Sequence, residues 1–125
     1  MGAIKLANKR VYTFPVENPV SNDDIPRLFV PRLLVVQEIR ALKIGGSGSF
    51  DFELRFSPNA DDQGAGTLLQ SDSGVNNTTT GVIYSGPFVD VPAGDWLWLE
   101  LPIVSSGLAR PVMAHVQVVG VERGA

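Results

Sequence analysis

Apolar and polar residues alternate along most of this chain with a period of two, and almost nowhere with the 3.6-residue period of a helix. The clearest run is Phe50 to Phe56. There Phe50, Phe52, Leu54 and Phe56 point one way and Asp51, Glu53 and Arg55 the other. That pattern predicts a strand with one face in a core and the other in water. Trp96 to Leu101 alternates as well, with Trp96, Trp98 and Glu100 on one side and Leu97, Leu99 and Leu101 on the other. A strand apolar on both faces is covered on both, either inside its own domain or by a partner. Trp96 and Trp98 therefore have two readings: core-filling aromatics, or an exposed pair that stacks on a sugar or anchors an interface.

The remaining segments are shorter or less regular. Ile4 to Phe14 opens with Ile4 and Leu6 between Lys5 and Ala7 and continues into Val11, Tyr12, Thr13 and Phe14, which favour strand. Leu33 to Ile44 is the most hydrophobic run. Helix is open to it, but Val35, Gln37, Ile39 and Ala41 alternate with Val36, Glu38, Arg40 and Leu42, which predicts a strand. The Gly45–Ser49 stretch would then join it to the Phe50 strand as a hairpin. Ser57 to Thr80 is polar and glycine-rich, and only Thr67, Leu68 and Leu69 suggest a short element there. Val82–Tyr84 and Phe88–Val91 read as short strands, Pro92–Asp95 as a turn, and Val112–Val121 as a long closing strand. The total is about eight strands without an internal repeat, an all-β sandwich or barrel.

Pro15 to Pro31 breaks this rhythm. Pro15, Pro19, Pro26 and Pro31 exclude a central strand, because proline donates no ladder hydrogen bond. Yet the stretch also carries Val16, Val20, Ile25, Leu28, Phe29 and Val30, too apolar for a free linker. Two readings stay open: an ordered, extended arm packed on some other surface, or a long loop packed on its own domain. The expected organisation is one structural domain, with a strand and arm over residues 1–31 and a sandwich over 32–125.

Composition narrows the function. The 125 residues carry a formal net charge of −3, which is not the basic footprint of a nucleic-acid binder. There is no cysteine, so no disulfide, thiolate metal site or cysteine nucleophile. No run of about 18 apolar residues predicts a membrane span. The start at Met1, without an apolar leader, is read as an unprocessed product, and Leu6 stands where a myristoylation pattern needs Ser or Thr.

Candidate chemistry is sparse. The single histidine, His115, shares a strand face with Met113, Gln117 and Val119 and has no partner signal in sequence. Gly46-Ser47-Gly48-Ser49 resembles a nucleophile elbow only in its glycines, and Gly64-Ala65-Gly66 lacks the Lys and Ser of a phosphate loop. Asn59, Asp61 and Asp62 lack calcium-loop spacing. No motif selects two of the thirteen acids as a glycosidase pair. The expectation is a non-enzymatic chain with no catalytic residue, no metal and no cofactor.

One resemblance adds to this. The unit Val89-Asp90-Val91-Pro92-Ala93-Gly94-Asp95-Trp96-Leu97-Trp98-Leu99-Glu100 is a β-turn-β element ending in an aromatic strand. It follows a Thr/Asn/Gly loop, precedes a Ser-Ser-Gly loop and a last hydrophobic strand, and lies downstream of Phe50–Phe56 and Gly-Thr-Leu-Leu-Gln-Ser. Over residues 32–121 the chain resembles the small jelly-roll virion proteins of tailed bacteriophages, the capsid cement or decoration type. The resemblance implies a two-sheet jelly roll of about eight antiparallel strands. It also implies a capsid-surface location after synthesis in the bacterial host cytoplasm, and as partners the major capsid protein and the chain itself, commonly as a trimer. It implies no catalytic residue. Lys5, Lys9 and Arg10 would then suit an acidic capsid surface. Phe14, Val16, Val20, Ile25, Leu28 and Phe29 would suit a neighbouring subunit. The alternative is a carbohydrate- or receptor-binding β-sandwich module of a virion fibre or tail.

Overall fold

The computed structural model describes residues 9–22, 25–61 and 65–123. Lys5 and Asp62 lie outside them. Eight strands run in chain order: β1 Lys9–Glu17, β2 Leu28–Phe29, β3 Leu33–Ile44, β4 Phe50–Ser57, β5 Thr67–Val75, β6 Val82–Tyr84, β7 Trp96–Glu100 and β8 Met113–Arg123. They form two antiparallel four-stranded sheets, ordered β1-β8-β3-β6 and β2-β7-β4-β5. This is the strand order of a jelly roll. The expected all-β, jelly-roll-like sandwich is what the chain forms.

The connectivity corrects the expected hairpin. β3 and β4 do not pair: β3 belongs to the first sheet and β4 to the second. Gly45 and Gly46, at φ 69° and 71°, turn the chain between sheets instead of back along one. Lys43 closes this corner. Its buried Nζ donates to the carbonyls of Gly46 at 2.9 Å and Gly48 at 2.8 Å. A glycine-rich link between two alternating strands has the same local sequence in either geometry. The hairpin is β4–β5, joined through the polar stretch.

Three further expectations change. Thr67–Val75 is a full nine-residue strand, not a brief element. As the edge of its sheet it buries only Leu69 and Val75, so its polarity hid it. Phe88–Val91 is not a strand; only Val91 bridges, exchanging 2.9 Å hydrogen bonds with Leu34 in both directions. In β3 the strict alternation breaks at a bulge between Val36 and Glu38, so Leu34 and Val36, then Ile39 and Ala41, all face inward. Without that extra residue, keeping Leu34 and Val36 inside would bury Glu38 and Arg40.

The core lies between the sheets. Phe50, Phe52, Leu54 and Phe56 of β4 and Leu97 and Leu99 of β7 meet Phe14 and Val16 of β1, Leu34, Ile39 and Ala41 of β3, and Ala114, Val116 and Val118 of β8. Ile25 and Val30 join them. Within the proline-bearing segment, residues 15–17 belong to β1 and 28–29 form β2, while Ile25 and Val30 pack on the core. At the open side of the sandwich, Tyr84 of β6 donates to Asp72 of β5 at 2.5 Å, tying one sheet to the other.

Two predictions follow from this packing. A Cβ on Gly120 would sit 2.6 Å from the Val35 carbonyl oxygen and 2.9 Å from Leu34 Cδ1. Gly120→Ala is expected to lower unfolding free energy by about 1–3 kcal/mol in urea titration. The second concerns alkaline pH. Burial, and after it the hydrogen bond to Asp72, push the Tyr84 phenol above its usual 10.0. The fold prefers the neutral phenol, so its contribution is intact below pH 10 and declines above it, where the unfolded chain ionises first. Tyr84→Phe should flatten the alkaline loss of stability between about pH 10 and pH 11.5. An unchanged slope would assign that loss to other groups.

Candidate interaction surfaces

Each sheet presents its second face outward, and the two outer faces differ. On the second sheet, register places Glu53 beside Glu100, Arg55 beside Trp98, and Ser57 beside Trp96. Arg55 donates to Glu53 Oε1 at 2.9 and 3.1 Å and lies 3.9 Å from Glu100 Oε1. Trp98 Nε1 donates to Glu100 Oε2 at 2.7 Å. The Arg27 guanidinium carbon sits 5.2 Å from the Trp98 ring centre, while its Nε donates to the Ala60 carbonyl at 2.9 Å. Gly66, at φ 77°, passes so close that a Cβ there would lie 3.1 Å from the indole.

Trp98 is thus fully buried, but on the outer face, under Arg27 and the chain around Gly66. Leu97, Leu99 and Leu101 fill the core on the other side, as their parity predicts. Trp96 is half-buried and meets Phe29 edge-on, with ring centres 5.1 Å apart. The two indoles do not form one open platform. Beside them Asp51, Glu53, Ser71, Asp72, Ser73 and Pro102 line an acidic depression of about 380 Å³. Two of its acids hold local structure: Asp51 accepts from the Gly74 amide at 2.9 Å, and Asp72 from the Ser73 amide at 2.8 Å and from Tyr84.

The outer face of the first sheet holds more apolar residues than that of the second, alongside Lys9, Glu17, Glu38 and Arg40. β1 contributes Val11, Thr13 and Pro15; β8 contributes Met113, His115, Gln117, Val119 and Val121; β3 contributes Val35, Leu42 and Ile44; β6 contributes Ile83. His115 stands between Pro15 and Leu42, and its Nε2 is shielded without a hydrogen-bond partner. Among the described residues, no three of His, Cys, Asp and Glu converge as a metal-binding group.

The third surface is an end of the sandwich, where the loops after β1, β3 and β7 are stitched together. Asn18 N–H bonds the Val112 carbonyl, Asn22 N–H that of Leu101, Gly48 N–H that of Ala109, and Asp51 N–H that of Ile103, at 2.7 to 2.8 Å. Val20, Ile44, Ile103, Leu108 and Val112 are all exposed there. Leu108 is wholly exposed, on a 3₁₀ turn at Gly107–Ala109.

Against the expected interface residues, this is a partial redistribution. Phe14, Val16 and Ile25 are corrected to core: each is at least nine-tenths buried inside its own domain, so their apolarity answers intramolecular packing. Leu28 packs partly on that core. Val20, Phe29, Lys9 and Arg10 are exposed, Arg10 beside Glu122 at 3.0 Å. The apolar outer face of the first sheet and the Leu108 turn were missed. Apolar residues at both parities of the β3 and β8 segments were the signal for the face. The chain matches no model of a known protein family and no curated protein.

The geometry predicts distinct behaviour for the two indoles. In Trp96→Phe, emission from Trp98 should be blue-shifted and barely quenched by iodide. In the unaltered chain iodide should remove only the Trp96 component.

Proposed function

We propose that this chain is a virion structural protein of the capsid cement type. It seats on major capsid protein subunits at the shell surface and stabilises the shell by the area it buries. The observation that carries this reading is the stitched end of the sandwich. Single exposed apolar residues are ordinary on a protein surface, whereas several at one end of a fold suit a contact site. Val20, Ile103, Leu108 and Val112 are each exposed on loops tied to one another by main-chain hydrogen bonds. A preformed apolar end loses little freedom on binding, so more of its burial becomes affinity. A partner that binds only the assembled shell stabilises it by mass action. The resemblance to decoration proteins and the jelly-roll strand order support the same reading. A carbohydrate-binding module would need an open aromatic platform. The enclosure of Trp98 and the edge-on contact of Trp96 with Phe29 favour packing over sugar stacking.

The test is thermal. Particles lacking this protein should disrupt at lower temperature in scanning calorimetry, and adding the purified chain should restore the transition. Leu108→Asp should abolish the restoration while leaving the chain's own melting unchanged. Identical melting of particles with and without the chain would overturn the cement reading.

A further inference from the structure

The outer face of the first sheet is organised by rows that cross its strands. Register aligns Lys9, Val121 and Val35 in the first row, and Val11, Val119 and Glu38 in the second. Thr13, Gln117, Arg40 and Ile83 form the third, Pro15, His115 and Leu42 the fourth, and Glu17, Met113 and Ile44 the fifth. The order is close to self-complementary about the middle row. A cation heads the first row and an anion the last, on the same strand. Between them lie mostly apolar and neutral residues, and the Arg40–Glu38 pair satisfies itself within the chain.

We infer that this face binds a second copy of the chain, face to face, about a two-fold axis running along the Thr13–Gln117–Arg40–Ile83 row. Such an axis inverts the row order. Lys9 of each copy then meets Glu17 of the other, Val11 meets Pro15, Val119 meets His115, Val121 meets Met113, and Val35 meets Ile44. Apolar surface covers apolar surface and each end charge finds its opposite. Two mismatches remain: Glu38 lies over Leu42 at the flank, and on the axis Arg40 faces Arg40 of the other copy, each guanidinium held by its own Glu38.

Area agrees. Three strands about 4.8 Å apart and about 30 Å long, with the three-residue β6 beside them, offer roughly 500 Å² on each copy, so about 1,000 Å² in all, the lower bound for a specific association. Val11 and Ile83, each about half exposed at 51% and 49%, would be covered. The other outer face offers no such match, because Asp51, Glu53 and Glu100 outnumber Arg27 and Arg55 on it. The free edge of β1 is a poor alternative route. Asn18 N–H bonds Val112 O, so the even-numbered residues of β1 hold the β8 ladder and the odd ones point their main-chain groups outward. Pro15 is among those, and it has no N–H to offer an added strand.

This inference does not rest on the cement reading: it concerns the purified chain, whereas the shell test concerns particles. The test is a charge exchange followed by sedimentation equilibrium. Lys9 and Glu17 lie about 27 Å apart along one strand, too far to interact within a chain. Lys9→Glu alone and Glu17→Lys alone should each weaken the dimer about tenfold, and the double exchange should restore it, with unchanged circular dichroism throughout. Ile83→Lys, beside the axis, should yield monomers. A mass of one chain at all concentrations, or of three, would overturn the proposal. So would a dimer indifferent to the single reversals, or one that the double exchange does not rescue. Binding of this face to shells by a monomeric chain would assign it to the capsid partner instead, and equally end the two-fold model.

Discussion

Burial between two sheets is the interaction on which everything else in this molecule depends, because neither sheet exists alone in the chain. Of the seven links between successive strands, only the one from β4 to β5 stays within a sheet. Every other link carries the chain across the core. The corner at Gly45 and Gly46, the bulge before Glu38 and the buried Lys43 follow from that constraint. The corner carries the chain from one sheet to the other, and the bulge keeps the apolar side of β3 inward along its length.

With the core filled from both inner faces, the outer faces were free to diverge, and they did. One carries a charged network locked over Trp98 by Arg27, Glu100 and the chain near Gly66. The other carries one internally paired couple, Arg40 and Glu38, among mostly apolar and neutral residues. A buried aromatic on the outside of a sheet stiffens that face without offering it to a ligand. An uncovered apolar sheet does the opposite, and antiparallel sheets ordinarily wet their second face. The contrast directs attention away from the tryptophans, the most conspicuous residues in the sequence, and toward the duller row of Val, Pro, Leu and Met opposite them.

The all-β class, the inward set of β4 and the two faces of β7 were legible because period-two alternation reports burial directly. Phe50, Phe52, Leu54 and Phe56, and Leu97 and Leu99, needed no other information. What alternation cannot report is which sheet a strand joins. The glycine-rich link after Ile44 therefore looked like a hairpin, and it is a corner. Nor can alternation detect an edge strand such as Thr67–Val75, whose polarity matches that of a loop. The apolar stretch with its prolines gave two readings, and within it Val16, Ile25 and Val30 are buried in the chain's own core. The surfaces were hardest to read. Leu108 stands out only once its turn is seen to project, and the self-matching rows of the first sheet exist only in the register, not along the chain.

The strand order also dictates when the domain can close. β1 has one ladder partner, β8, and Phe14 stands opposite Val116. A chain emerging from a ribosome therefore exposes Phe14 and Val16 long before their partner strand is made. Pairings between such distant residues fold on millisecond-to-second scales, slower than local ones. A chain cut short before Met113 would lose the strand that lies between β1 and β3 and open two further strand edges, one on each. The domain is thus complete only when its C-terminal strand is, and an interrupted product would be recognisable to the cell by its exposed strands.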